Sequence, residues 1–88
     1  MSIGTNFEDS ALSQLMQWVK DDRKIAEKIY KLIQDIHRNG LAHGIGKPEH
    51  LKYHDGWSRR IDEANRLVYD VDKDGKLRIL SCKGHYED

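Results

Sequence analysis

The chain has 88 residues in which fifteen Lys plus Arg face fifteen Asp plus Glu, so its formal net charge is zero. That balance excludes a histone-like polycation and an acidic tail, and the length suits one domain, residues 1–88, burying roughly 60 to 70% of the unfolded chain's surface. Charged residues make up 34% and AVILMFWYC residues 38%, which excludes collagen, coiled coil and disorder while leaving a charge-rich surface.

Cys82 is the only cysteine. No internal disulfide is possible, and a small domain without one is expected in a reducing compartment, the cytoplasm. The first twenty residues carry Glu8 and Asp9 and no unbroken apolar run, which predicts neither a secretory leader nor a membrane-spanning helix.

Taken in chain order, residues 3–7 read as a short strand weakened by Gly4 and Asn6. Leu12, Leu15, Met16 and Val19 recur at helical spacing, as do Ile25, Ile29, Leu32, Ile33 and Ile36, so two amphipathic helices are predicted. The stripe of Leu12, Leu15, Met16 and Trp18 is expected to face the core. Lys20, Asp21 and Asp22 interrupt the pattern, and either Asp side chain has the chemistry to cap the second helix. Asn39-Gly40 is a helix stop that closes the αα-hairpin.

The second half changes period. Trp57-Ser-Arg-Arg-Ile61 alternates, Arg66-Leu-Val-Tyr-Asp-Val71 is β-branched and aromatic, and Leu77-Arg-Ile-Leu-Ser81 follows suit. Asp62-Glu-Ala-Asn65 and Asp72-Lys-Asp-Gly75 have the length and chemistry of hairpin turns. The expected fold class is therefore α+β, a two-helix hairpin packed on a mostly antiparallel sheet of four or five strands.

Between the halves lies a basic belt. From His37 to Arg60, Arg38, Lys47, Lys52, Arg59 and Arg60 oppose only Glu49 and Asp55, a net of +3, and four of the five His fall in the same stretch. The remaining residues sum to −3. A concentration of cations of this kind is the footprint of phosphate binding, set against the plain alternative of a solvated loop.

Gly44-Ile-Gly46-Lys47-Pro48 lacks the strand, glycine spacing and hydroxyl residue of a P-loop, and Pro48 removes an amide, so a flexible approach loop is the better expectation. His50 and His54, with Cys82 and His85, fall short of the two compact ligand pairs of a zinc site, so no metal or other cofactor is expected. Cleaving RNA by acid and base requires a group to deprotonate the 2′-hydroxyl, one to protonate the departing 5′-oxygen, and a cation for the phosphate. Glu49 is the one carboxylate between Lys47 and Lys52, His85 is an imidazole with the chemistry for either proton role, Arg66 opens a strand, and Tyr86 offers a ring or a hydroxyl.

Gly46-Lys-Pro-Glu-His-Leu-Lys52, Trp57-Ser-Arg-Arg-Ile61, Asn65-Arg-Leu-Val-Tyr69 and the near-terminal His85-Tyr86 together resemble the YoeB/Txe toxins of the RelE superfamily, over about Phe7 to Tyr86. The resemblance implies a RelE-like fold and a ribosome-dependent endoribonuclease, the toxin of a type II toxin-antitoxin pair, cutting mRNA in the A site of the 30S subunit. It implies Glu49 as general base, His85 as general acid, Arg66 as the ligand of the transition-state phosphate and Tyr86 as an assisting or stacking group. Lys52 and Arg60 would add positive charge, with Arg59 and Lys47 more peripheral RNA contacts. A YefM/Axe-like antitoxin and a homodimer are the implied partners. The alternative from another class is an inactive module that binds ribosome or antitoxin without cutting. The chain departs from the family pattern in a spacer about two residues shorter between Lys52 and Trp57, in Glu87 and Asp88 after the His-Tyr pair, and in its weak first strand.

Overall fold

The structure is a computed structural model that describes residues 4–85. Its elements are β1 (Thr5–Phe7), α1 (Asp9–Asp21), α2 (Arg23–Asn39), β2 (Glu49–His50), β3 (Trp57–Arg60), β4 (Arg66–Val71) and β5 (Leu77–Ser81). The strands form one sheet in the order β1-β5-β4-β3-β2. All pairings are antiparallel except β1 with β5, which run parallel with Phe7 opposite Ile79. The α+β expectation holds, and the first strand is real: the β5 edge supplies the hydrogen-bonding partner that Gly4 and Asn6 made doubtful. Ile3 lies outside the described residues.

The stripe on α2 packs as its spacing predicts, with Ile29, Leu32 and Ile36 buried against Leu67 and Tyr69 of β4, Leu77 and Ile79 of β5, and Cys82. Gly40, at φ 90°, ends the helix, its N–H bonding the Ile36 carbonyl at 2.8 Å. The stripe on α1 behaves differently. Ala11 is its fully buried residue and Leu15 and Trp18 pack on the core edge, while Leu12 and Met16 are 47% and 58% exposed. The expectation of a core-facing Leu12 and Met16 is thus corrected: a helix at the end of the sheet turns only part of its apolar surface inward. A second correction concerns the junction of the helices. Asp22 alone separates them, and its backbone carbonyl, not its side chain, receives the Ile25 and Ala26 amides.

Both predicted hairpin turns form, by the same device. Asp62 Oδ1 accepts the Ala64 and Asn65 amides at 2.8 Å, and Asp72 Oδ1 accepts those of Asp74 and Lys76 at 2.9 Å. These carboxylates mimic a backbone acceptor and close the chain on itself. The bonds from the Lys76 and Asp74 amides hold the Asp72 carboxyl below its ordinary range.

Beyond β5 the chain is tied to α1. Gln14 Oε1 accepts the Cys82 amide at 2.7 Å and Trp18 Nε1–H donates to the Cys82 carbonyl at 2.9 Å. Burial pushes the Cys82 thiol up to about 11. With no exposed surface and a thiolate that disfavoured, Cys82 is expected to resist a thiol-specific reagent in native protein near pH 8 and to react at once in denaturant, followed as absorbance of the released chromophore. Equal rates in both conditions would contradict this packing. Among the described residues no helix is long and apolar enough to cross a membrane.

Candidate active site

The helices cover one face of the sheet. On the other, the pairings place Glu49 opposite Ser58, and Arg60 opposite Arg66. Alternation along each strand then sets Glu49, Ser58, Arg60 and Arg66 on this open face. A cleft of about 310 Å³ opens there, lined by Glu49, His50, Leu51, Lys52, Ser58, Arg66 and His85. Residues as far apart in the chain as Glu49 and His85 therefore meet, which proximity in the chain could not reveal.

Arg66 is the centre of the cleft. Its side chain is 16% exposed, Nε–H donates to Ser58 Oγ at 3.1 Å, and Nη2 stands 3.5 Å from Glu49 Oε2, whose side chain is 69% exposed. Nη2 is shielded from solvent yet has no hydrogen-bond partner among the described residues. Leaving such a donor unmatched costs about 1 to 3 kcal/mol, more when charged, a cost that an anionic oxygen would remove.

His85 is brought to the cleft by the turn between β3 and β4. The Arg66 amide bonds the Gly84 carbonyl at 3.1 Å, and the Gly84 amide bonds Asn65 Oδ1 at 2.8 Å. His85 Nε2 lies 3.2 Å from the Glu63 carbonyl. A carbonyl only accepts, so this nitrogen carries the proton and Nδ1 is the second position of the ring. The turn that joins two strands thus also anchors the segment after β5. Ser58 and Asn65 were missed on sequence; a small polar residue inside an alternating strand and the Asn of an Asp-x-x-Asn turn were the available signals.

The remaining candidates divide. Lys52 lines the cleft. Arg60 is exposed on the same sheet face but outside the lining, and Lys47 is exposed two residues before Glu49, at the unusual φ of 52°. Tyr86 lies outside the described residues, as do Glu87 and Asp88.

Arg59 requires correction. Expected at the surface as an RNA contact, it is fully buried on the helix side of the sheet, as alternation with Arg60 requires. Its Nη1 donates to Asp35 Oδ2 at 2.5 Å and to the Ile45 carbonyl at 3.0 Å, and its Nη2 to the carbonyls of Gly40 and His43 at 2.8 and 2.6 Å. Nε–H reaches Tyr69 Oη at 3.0 Å, and the Tyr69 hydroxyl in turn donates to the Leu41 carbonyl at 2.7 Å. Burial raises Tyr69 above its ordinary value, so the hydroxyl stays protonated for that bond. The hydrogen bond from Arg59 holds the Asp35 carboxyl below its ordinary range.

The Gly44–Pro48 stretch, expected to be a flexible approach loop, therefore begins inside a segment fastened around one guanidinium through the Gly40, His43 and Ile45 carbonyls. No side chain fits at Gly44, where a Cβ would stand 1.8 Å from Asp35 Oδ2 at a φ of 119°. The Arg60 amide bonds the Gly46 carbonyl at 2.7 Å. This fastening ends three residues before Glu49 and aims the short β2 strand across the cleft.

A small α+β domain, with two helices on one face of a five-stranded sheet and a polar cleft on the other, is the class of protein that these elements define. The dimeric YoeB from Staphylococcus aureus has the same architecture, with a TM-score of 0.89 at 41% identity over 98% of this chain and 100% of that one. The YoeB of the heterotetrameric YoeB-YefM complex from the same species matches at 0.87 and 40%, with the same coverage. The chain belongs to the YoeB-like toxins of bacterial type II toxin-antitoxin systems, whose family model matches residues 7–86. Toxin YoeB of Mycobacterium bovis is 41% identical over 83 residues, 92% of this chain and 95% of that protein.

Proposed function

We propose that this toxin is a ribosome-dependent endoribonuclease that cuts mRNA in the A site of the 30S subunit. The observation that carries the reading is the shielded Arg66 Nη2, a cationic donor with no hydrogen-bond partner among the described residues, in a cleft shared with Glu49 and His85. A phosphodiester supplies the anionic oxygen this donor needs. Glu49 accepts the proton of the 2′-hydroxyl as its oxygen attacks phosphorus. Arg66 holds the charge that builds on the phosphate oxygens, and His85 gives a proton to the departing 5′-oxygen. The products are a 2′,3′-cyclic phosphate and a 5′-hydroxyl. Tyr86 joins this set by its place in the His-Tyr motif. Lys52, Arg60 and Lys47 supply positive charge along the RNA. Arg66 is the cation of this mechanism, so the reading calls on no metal ion or other cofactor.

The partners follow from the relatives. The Staphylococcus aureus YoeB is known as a dimer and in complex with YefM, and we extend both to this chain: a homodimer, neutralised by a YefM-type antitoxin, acting in the cytoplasm. Purified toxin added to programmed ribosomes is expected to give cuts confined to the A-site codon and ending in a cyclic or 3′-phosphate. Intact message at saturating toxin would overturn the nuclease reading in favour of a binding module.

A further inference from the structure

A second depression, of about 410 Å³, adjoins the cleft and is lined by His50, Lys52, Tyr53, His54 and Asp55. It shares His50 and Lys52 with the cleft. The loop that builds it is anchored at both ends. Leu51 is buried, its amide bonds the Gly56 carbonyl at 2.9 Å, and a Cβ at Gly56 would meet Leu51 Cδ1 at 3.0 Å. His50 is fixed by its edge-on contact with Trp57, ring centroids 4.9 Å apart. From this closed loop Tyr53 stands 77% exposed. An aromatic ring left that open forgoes much of the burial that makes tyrosine useful to a fold. Its ring shares the depression with Lys52, next to a cleft in which Arg66 Nη2 has no hydrogen-bond partner among the described residues.

We propose that this depression is a nucleobase subsite, in which the base of a nucleotide flanking the scissile phosphate stacks on Tyr53 while Lys52 faces the connecting phosphate. The proposal rests on the nuclease reading and deepens it. Stacking tolerates any base, since every base has a π-face, so the subsite holds the strand in register without selecting a sequence.

The test is single-turnover cleavage on programmed ribosomes by the parent toxin, Tyr53→Ala and Tyr53→Phe. The messages are intact, or abasic at one or the other nucleotide flanking the cut. Tyr53→Ala is expected to raise the half-saturating toxin concentration about 5- to 150-fold on the intact message, with the saturated rate within about threefold of the parent. Tyr53→Phe should restore parental behaviour, and the penalty of the alanine should vanish on one of the abasic messages. Parental values for Tyr53→Ala on the intact message would overturn the subsite alone. So would an equal penalty on all three messages, since the ring would then touch something other than that base. A parent toxin that cuts none of them overturns the nuclease reading and the subsite with it.

Discussion

Replacing Arg66 with alanine is expected to slow single-turnover cleavage of ribosome-bound message by about 100- to 1,000-fold, the usual cost of removing one donor aimed at developing oxyanion charge. His85→Gln should cost roughly 100- to 10,000-fold, as loss of a general acid does. Neither side chain belongs to the buried core: Arg66 lies on the open face against Ser58 and Glu49, and His85 is exposed beside the Glu63 carbonyl. Both variants should therefore keep the parental unfolding midpoint and still bind ribosomes, which separates lost chemistry from lost structure. Rates near those of the parent would remove the altered residue from the catalytic set. Arg66→Lys is informative as well, because an ammonium cannot hold Ser58 and offer two further forked donors at once.

Replacing Arg59 is expected to have the largest effect on stability. Truncation to alanine leaves Asp35 without its cation and the carbonyls of Gly40, His43 and Ile45 without donors. Breaking a buried pair on one side costs about 3 to 5 kcal/mol, a large share of the ~5 to 15 kcal/mol that holds a domain of this kind. At ~4 °C or more per kcal/mol, the thermal midpoint should fall by at least about 12 °C. Many buried ion pairs can be exchanged for apolar side chains with little loss. Here the double variant Arg59→Met with Asp35→Leu should stay well below the parent, since three carbonyls remain unmatched. Recovery of parental stability in that double variant would show that only the charge pair mattered.

The same network gives a pH dependence. Because the Arg59 hydrogen bond lowers the folded carboxyl of Asp35 below its ordinary value of 3.8, the pairing contributes its stability in full above that value. It loses that contribution as pH falls below 3.8 and through the folded value. Urea midpoints measured between pH 6 and pH 3 should thus decline less steeply for Asp35→Asn than for the parent, from a lower plateau. Parallel curves would exclude Asp35 from the acid limb.

Where the fold was legible in sequence, the signal was local. The bounds of β4 and β5 coincide with the β-branched and aromatic runs, because a strand buried against helices needs those side chains over its whole length. Asp62 and Asp72 marked their turns for an equally local reason, since an Asp closes on amides two to four residues ahead. The α2 stripe had one surface to bury and buried it. The α1 stripe was misleading at Leu12 and Met16 because periodicity tells which residues share a face, not how much of that face a neighbour covers.

The candidate site divides in the same way. Glu49, Arg66 and His85 could be named because each sits in a motif, and the sheet brings all three to one cleft. Arg59 could not be assigned in isolation. Sequence alternation separates it from Arg60, but only the position of the helices shows that Arg59 faces inward, among four backbone and side-chain acceptors and the Tyr69 hydroxyl.

By itself, then, the sequence determined two helices, three of the strands, both hairpin turns and the residue types that suit RNA chemistry, each through interactions spanning a few residues. Tertiary structure decided what depends on groups far apart in the chain. The parallel docking of β1 on β5 joins the two ends of the fold, and the turn at Asn65 seats the segment that carries His85. The zero net charge conceals one more such decision: of the basic belt's cations, Arg59 is turned inward to fasten a loop. The difference is geometric, since a turn or a helix face is set by nearest neighbours along the chain, whereas burial of a charge is set by which acceptors the fold assembles around it.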